Sequence, residues 1–430
     1  MKILWLTNTP CGASDYFRIK YPLGGWMSSL EDQIKIIPDV TLAVSFFYNN
    51  CRDFKFIYNS VTYYPIKDKK STLIGKISSK LLNKLCDTNL VALIKVIEDF
   101  KPDIIQLFGT ESGLGEIIKE TKIPVIIHIQ GLINPCVSAW FPKGISQSTF
   151  DSHSRLIDIL SLRGFGGTYQ LFKKMALREE QILKSAHYFF GRTEWDMRTV
   201  KIYNSKCRYF HCEELLRSIF FEHQWKPNNT STIRLVTTIH PNTYKGIEII
   251  LETAAILKKK TALKFEWVII GVSKDSQLVG VLEKIKKMRF EENSVVMKGR
   301  KTGNEVITEL LKADIFIHPS HMDTSPNSVC EAMLLGMPVI AGNVGGVPSL
   351  IRHNVNGILF NSHDPFELAG IILEKAGKPL QLQRLGDNAR KLAYTRHNSE
   401  AIVSVILATY KNILSEQQSY RDQPVCVLNN

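Results

Sequence analysis

Short apolar runs rich in β-branched residues recur along the chain, separated by longer stretches with helical spacing. In the first half these runs are Ile3 to Thr7, Val40 to Phe46, Ile57 to Tyr63, Ile104 to Leu107, Val125 to Ile129 and Tyr188 to Phe190. A polar stretch at 222–232, EHQWKPNNTST, interrupts the rhythm and reads as a linker. The pattern restarts with Ile233 to Thr237, a helix from about Gly246 to Lys260, and strands at Phe265 to Ile270, Val295 to Met297, Ile315 to His318 and Val339 to Ala341. Strands alternating with helices predict parallel sheets. The expected fold class is therefore α/β, with two doubly wound Rossmann-like domains at 1–222 and 223–396 and a final segment, 397–430, made of a helix and a polar tail. In that helix, Asn398 to Leu414, Ile402, Ile406, Tyr410 and Ile413 share one face. Two such domains facing each other bring the C-terminal ends of both sets of strands to one central cleft, where open α/β sheets bind ligands.

The most specific chemistry lies in residues 313–359. Asp323 and Glu331 stand eight positions apart, and between them Ser325 is a candidate N-cap and Pro326 a candidate first-turn residue. Gly336 and Pro338 stop the helix ahead of the strand Val339 to Ala341. The first-turn amides of Asn327, Ser328 and Val329 then have no partner within the helix, and such an end attracts phosphate. Asp323 flanks that mouth from a loop, while Glu331, one turn in, can accept hydrogen bonds from hydroxyls. A polyhydroxylated phosphate ester satisfies all of these groups. In isolation, a D-x7-E spacing is more often an N-cap followed by a helix carboxylate placed for the macrodipole.

The surrounding residues shift that balance. Glu331-Ala332-Met333, Gly336-Met337-Pro338-Val339-Ile340-Ala341 and Gly345-Gly346 resemble the donor-site signature of retaining glycosyltransferases of family 4, with Asp323 in place of that pattern's first Glu. The resemblance implies the two-domain GT-B fold, with an acceptor-binding N-terminal domain, a donor-binding C-terminal domain and a last helix that crosses back to the first domain. It implies catalytic roles for Asp323 at the donor sugar, Glu331 at the ribose and Lys245 at the diphosphate, because Lys245-Gly246 matches the family's K-G. The family commonly carries G-R several residues earlier; this chain has Thr237-Thr238-Ile239-His240, which leaves Arg300, Lys301 or His240 as stand-ins. Gly299 and Arg300 fall where the nucleotide base is expected, and Gly24-Gly25 resemble the glycine loop that lets backbone approach phosphate or acceptor. At the tip of PVIIHIQG, Gln130 occupies the family's usual His position, and His128 lies two residues back on the same strand face. Gln130 can bond a sugar hydroxyl but is no base, and His128 is either a sugar contact or a buried core residue. Glu111, after the preceding strand, is a candidate acceptor-site carboxylate. The stretch 134–163, with Trp140, Phe141 and Phe150, is either a sugar- or lipid-facing aromatic surface or a packed insertion. Gly191-Arg192-Thr193-Glu194-Trp195-Asp196 resembles polysaccharide-assembly members of the family.

Charge adds a partner class. The 54 basic residues exceed the 41 acidic ones, giving a formal charge of +13 and favouring an anionic partner. Residues 67–85, KDKKSTLIGKISSKLLNKL, form a basic amphipathic pattern that fits a surface helix and leaves peripheral contact with an acidic membrane open. No run approaches 18 uncharged apolar residues, and Ile3 to Thr7 reads as a first strand, not a signal segment, so a cytoplasmic location, with or without contact at the inner membrane face, is expected. The eight Cys are scattered without a CxxC pair, which predicts reduced thiols, and no metal or cofactor is expected beyond the nucleotide sugar itself. The sequence thus predicts a retaining, metal-independent hexosyl- or N-acetylhexosaminyltransferase. It would move a sugar from a nucleotide diphosphate sugar to a hydroxyl of a glycan or lipid-linked acceptor in surface polysaccharide biosynthesis. A nucleotide-sugar epimerase of the same fold and a non-catalytic basic protein on membrane or nucleic acid are the alternatives; no nucleic-acid reader motif is evident, so nucleic acid is not an expected partner.

Overall fold

The structure, a computed structural model, describes residues 1–19, 25–49, 54–67, 89–156, 164–228 and 230–421. The basic amphipathic pattern beyond Lys67, Gly24 and the tail from residue 422 lie outside the described residues.

The first domain is built on β1 (Lys2–Thr7), β2 (Thr41–Phe47), β3 (Phe56–Tyr58), β4 (Val61–Ile66), β5 (Ile104–Phe108), β6 (Val125–His128), β7 (Tyr188–Gly191) and β8 (Arg208–His211). They form one sheet in the order β3-β4-β2-β1-β5-β6-β7-β8. All pairs are parallel except β3 with β4. Ile3, Leu4, Trp5 and Leu6 are all buried, as a central strand covered on both faces demands. The expected single strand Ile57 to Tyr63 is instead the hairpin β3–β4. Asn59 and Ser60 both take positive φ, 47° and 68°, which makes the tight turn that reverses the chain.

The second domain contains β9 (Ile233–Thr238), β10 (Phe265–Ile270), β11 (Val295–Met297), β12 (Ile315–His318), β13 (Val339–Gly342) and β14 (Ile358–Phe360). They are parallel throughout, in the order β11-β10-β9-β12-β13-β14, the doubly wound arrangement whose switch point falls between β9 and β12. The edge strands β8 and β14 are not among the expected strands; β8 is only half-buried and so carries little apolar pattern.

Two segments cross between the domains. The helix Ser399–Arg421 returns to the first sheet, where Ile402, Ile406, Tyr410 and Ile413 pack against Trp5, Val44 and Ile104. There the Tyr410 hydroxyl donates to Gln106 Oε1. In the opposite direction, Ile145 and Phe150 leave the first domain and join the second domain's core. The Phe150 ring lies 5.5 Å from Phe141 and 4.9 Å from Phe165. Trp140, 3% exposed, lies 5.6 Å from Tyr244. The aromatics of 134–163 are therefore a packed inter-domain bridge, not a solvent-facing platform, because each ring has an apolar partner to cover it.

Phe150→Ala empties a fully buried ring and is expected to cost about 3–5 kcal/mol. Ile57→Ala, at a position 76% exposed on the edge strand, should stay within about 0.5 kcal/mol. Denaturant titration of the two variants checks the contrast.

Candidate active site

The cleft between the two sheets takes its shape from loops that only glycine permits. After β9 the chain turns through Thr243–Lys245 into Gly246, whose φ is +71° and whose absent Cβ would lie 2.1 Å from the Pro319 carbonyl oxygen. Any side chain there would push the Lys245 turn off the loop that follows β12. Close approach brings Lys245 Nζ to 2.6 Å from Asp323 Oδ2, with His318 Nε2 at 3.1 Å from the same oxygen. Burial alone would raise the Asp323 carboxyl, but Lys245 and His318 outweigh it and hold the group well below the ordinary carboxylate range. Gly345 and Gly346 seat this loop from behind. A Cβ would fall 2.0 Å from the Asp323 carbonyl oxygen at the first and 1.8 Å from that of Thr324 at the second. The Gly346 amide donates to the Asp323 carbonyl at 3.0 Å.

The helix bearing Glu331 spans Asn327–Leu335 and begins one residue later than expected. Pro326, extended at ψ 117°, is the N-cap, and Ser325 makes no capping bond. The start is tied down by the Asn327 side chain: Oδ1 accepts from Arg192 Nη1 at 2.9 Å and Nδ2 donates to Glu214 Oε2 at 2.6 Å. The later start also changes which amides are available. The Val329 amide donates to the Pro326 carbonyl at 3.0 Å and its side chain is fully buried, so Val329 is not a ligand position. Among the described residues the amides of Asn327 and Ser328 have no acceptor, and both residues line the cleft.

Glu331 Oε1 accepts two hydrogen bonds from Arg217, Nε at 3.0 Å and Nη2 at 2.6 Å. Burial raises this carboxyl and Arg217 offsets only part of the shift. A second ion pair, Arg192 Nη1 to Glu214 Oε2 at 2.9 Å, has both side chains buried, and each partner reaches across to Asn327 of the second domain. Burial pushes the Glu214 carboxyl up to about 7 against the opposing pull of Arg192 and Asn327. The same stretch supplies Glu213, bound to Arg396 at 2.5 Å, and the Glu214 carbonyl, 2.8 Å from His397 Nδ1. Arg192 belongs to the 191–196 motif, in which Thr193 and Asp196 form a capping box that fixes the turn after β7.

The cleft, about 590 Å³, is lined by Lys245, Asp323, Asn327, Ser328 and Glu331. Gly25, Gln130, His240, Arg300 and Lys301 complete the group of expected residues that meet there. Gly299, in a positive-φ turn, accepts the Gly271 amide at 2.7 Å and shapes the loop without lining the cleft. His128 is the core histidine: it is fully buried, stacks on Phe108 at 5.7 Å, and its Nδ1 lies 3.0 Å from Gln106 Nε2. Burial, aided by Arg192, takes it down to about 3, so it stays neutral. Glu111 lies at the end of β5, bonded to Asn8 Nδ2 and outside this cleft, and burial pushes it up to about 7. Arg217 and Glu214 carry no sequence signal, since the second-domain residues they bind, Glu331 and Asn327, are more than a hundred positions away. Among the described residues, no cluster of His, Cys, Asp or Glu is arranged to hold a metal ion.

Two Rossmann-like domains with a cleft between them are the arrangement of the GT-B fold. Residues 221–392 match the model of the family Glycosyl transferases group 1. The amylovoran biosynthesis glycosyltransferase AmsK of Erwinia amylovora is 33% identical over 151 residues, 33% of this chain and 35% of that protein. The D-inositol 3-phosphate glycosyltransferase of Thermobifida fusca is 29% identical over 116 residues, 26% of each chain. The matches thus span about a third or less of these curated relatives. Sucrose-phosphate synthase of Thermosynechococcus elongatus superposes with a TM-score of 0.67 at 15% identity, over 97% of this chain and 100% of that one. HepE of Anabaena in complex with UDP and glucose superposes with a TM-score of 0.61 at 15% identity, over 96% and 99%.

Glu111 and Glu214 both titrate near 7 in the folded protein, against an ordinary value of 4.5, so the folded state holds protons that the unfolded state has lost. Stability is therefore expected to fall as pH rises from about 4.5 through 7. Glu111→Gln should flatten that slope, as melting temperatures across pH 5–8 would show.

Proposed function

We propose that this protein is a retaining glycosyltransferase, moving a sugar from a nucleotide diphosphate sugar to a hydroxyl of a glycan or lipid-linked acceptor in surface polysaccharide assembly. The observation that carries the reading is the convergence of Lys245, the two unpartnered amides of Asn327 and Ser328, and Glu331 on one cleft. The ammonium and the helix end favour the diphosphate, and Glu331 favours the ribose hydroxyls. Asp323, held ionised by Lys245, presents an acceptor to the donor sugar's hydroxyls.

In the reaction, the bond from the anomeric carbon to the distal phosphate oxygen breaks and its electron pair stays on that oxygen. The acceptor oxygen bonds to the same carbon from the same face, and its proton passes to the departing phosphate oxygen. This route needs no protein base, in keeping with Gln130 at the strand tip and a neutral, buried His128. Lys245 and the helix amides act where charge develops, and Arg300 on the cleft wall adds a second cation.

The family match over 221–392, the name of AmsK and the nucleotide bound by HepE support this reading. The charge of +13 supports work at the acidic inner face of a membrane, and among the described residues no helix is long and apolar enough to cross one.

The test supplies the full-length protein with UDP-, GDP- and ADP-sugars, with and without lipid-linked glycan acceptors. Acceptor-dependent transfer with a retained anomeric centre is the expected result, and Lys245→Ala or Glu331→Ala should lower kcat/KM by about a hundredfold or more. Conversion of the donor without acceptor would instead make the protein an epimerase. Failure to bind any nucleotide diphosphate would overturn the reading.

A further inference from the structure

Arg217 is a cleft residue that the proposed chemistry does not use. It stands between Leu216 and Phe220, both in the second domain's core, and its guanidinium lies 4.7 Å over the Phe220 ring. From there its side chain runs into the cleft between two glycines. A Cβ on Gly25 would fall 2.9 Å from Arg217 Cδ, and one on Gly303 would fall 3.1 Å from Arg217 Nη1. Neither glycine needs a positive φ, so what each supplies here is room for this side chain.

The use of its donors is asymmetric. Nε and Nη2 both bind one oxygen of Glu331, Oε1. Glu331 Oε2 has no partner among the described residues, and Glu331 lines the cleft. A free carboxylate in this position would face two problems. Burial favours its protonated form, in which one oxygen donates where a hydroxyl also seeks to donate. A side chain with both oxygens unengaged also has no fixed orientation. An arginine fork on one oxygen answers both, because it favours the ionised form and turns the remaining oxygen toward the ligand.

We propose that Arg217 is the positioning residue of the donor site: it engages Glu331 through Oε1 alone, so that Oε2 is left to bind the ribose hydroxyls of a nucleoside diphosphate. This rests on the donor-site reading given above. Arg217 acts through Glu331 and not on the reacting atoms. Its loss should therefore be felt only by ligands that carry the hydroxyls, and felt more strongly as pH falls. Gly25 and Gly303 belong to the same device, since a methyl group at the first would push on Arg217 Cδ and one at the second would crowd Nη1.

The experiment is calorimetric binding of UDP, GDP and ADP, each beside its 2′,3′-dideoxy counterpart, to the wild-type protein and to Arg217→Ala, Arg217→Lys and Gly303→Ala, at pH 6 and pH 8. For the nucleotide that binds, Arg217→Ala is expected to weaken the ribonucleotide about tenfold or more at pH 8, and further at pH 6. The already weaker dideoxy form should change less than twofold. Arg217→Lys should restore part of the pH 6 affinity, and Gly303→Ala should fall between the wild type and Arg217→Ala. Equal binding of the ribonucleotide by wild type and Arg217→Ala, with the same pH dependence, would overturn the inference and leave the donor site standing. Equal loss for ribo and dideoxy forms would also overturn it, by reducing Arg217 to a structural residue. If the wild type bound none of the three nucleotides, the donor-site reading itself would fall and take this inference with it.

Discussion

The geometry of the cleft depends on the buried contact between Arg192 and Glu214, with Asn327 locked into it. Two ions taken out of water are costly unless each is fully engaged, and removing one partner leaves the other unpaired. Arg192 reaches Glu214, Asn327 and the Gln130 carbonyl, so one guanidinium joins the turn after β7, the inter-domain chain and the start of the Glu331 helix. Glu213 and the Glu214 carbonyl engage Arg396 and His397 at the far end of the second domain. The ion pair is weak evidence for stability. Its value lies in register: the helix N-terminus is held at one position relative to the first sheet.

The donor side is built differently, from absent atoms. Gly246, Gly345 and Gly346 let three loops approach more closely than any side chain allows, and the Lys245–Asp323 contact follows from that approach. Charge then decides the protonation state. Asp323 is ionised because its cations outweigh its burial, whereas Glu331 is raised because its single arginine does not. Two carboxylates of one motif are thus separated in character by their neighbours alone.

The first domain is joined to the second by more than the linker. Phe150 and Ile145 sit in the second core, while the helix Ser399–Arg421 sits on the first. These exchanges place Trp140 against Tyr244, the neighbour of Lys245, so the bridge and the donor loop share a contact.

By itself the sequence determined the two parallel sheets, because runs such as Ile3 to Leu6 and Ile315 to Ile317 can be satisfied only by burial on both faces. It also marked the donor loops, since Gly246 and the Gly345-Gly346 pair answer to local backbone contacts. The one-residue shift of the helix start, which took Val329 out of the site and the N-cap role from Ser325, goes with Asn327 meeting Arg192 and Glu214, and such contacts leave no local pattern. His128 and Gln130 were legible as a pair on one strand face, but only the packing of Phe108 and Gln106 assigned His128 to the core. Arg217 was invisible because its partner, Glu331, is 114 residues away in the chain. Local sequence fixes what a residue can do by its own backbone and periodicity, while a buried charge acquires its role from whatever the fold sets beside it.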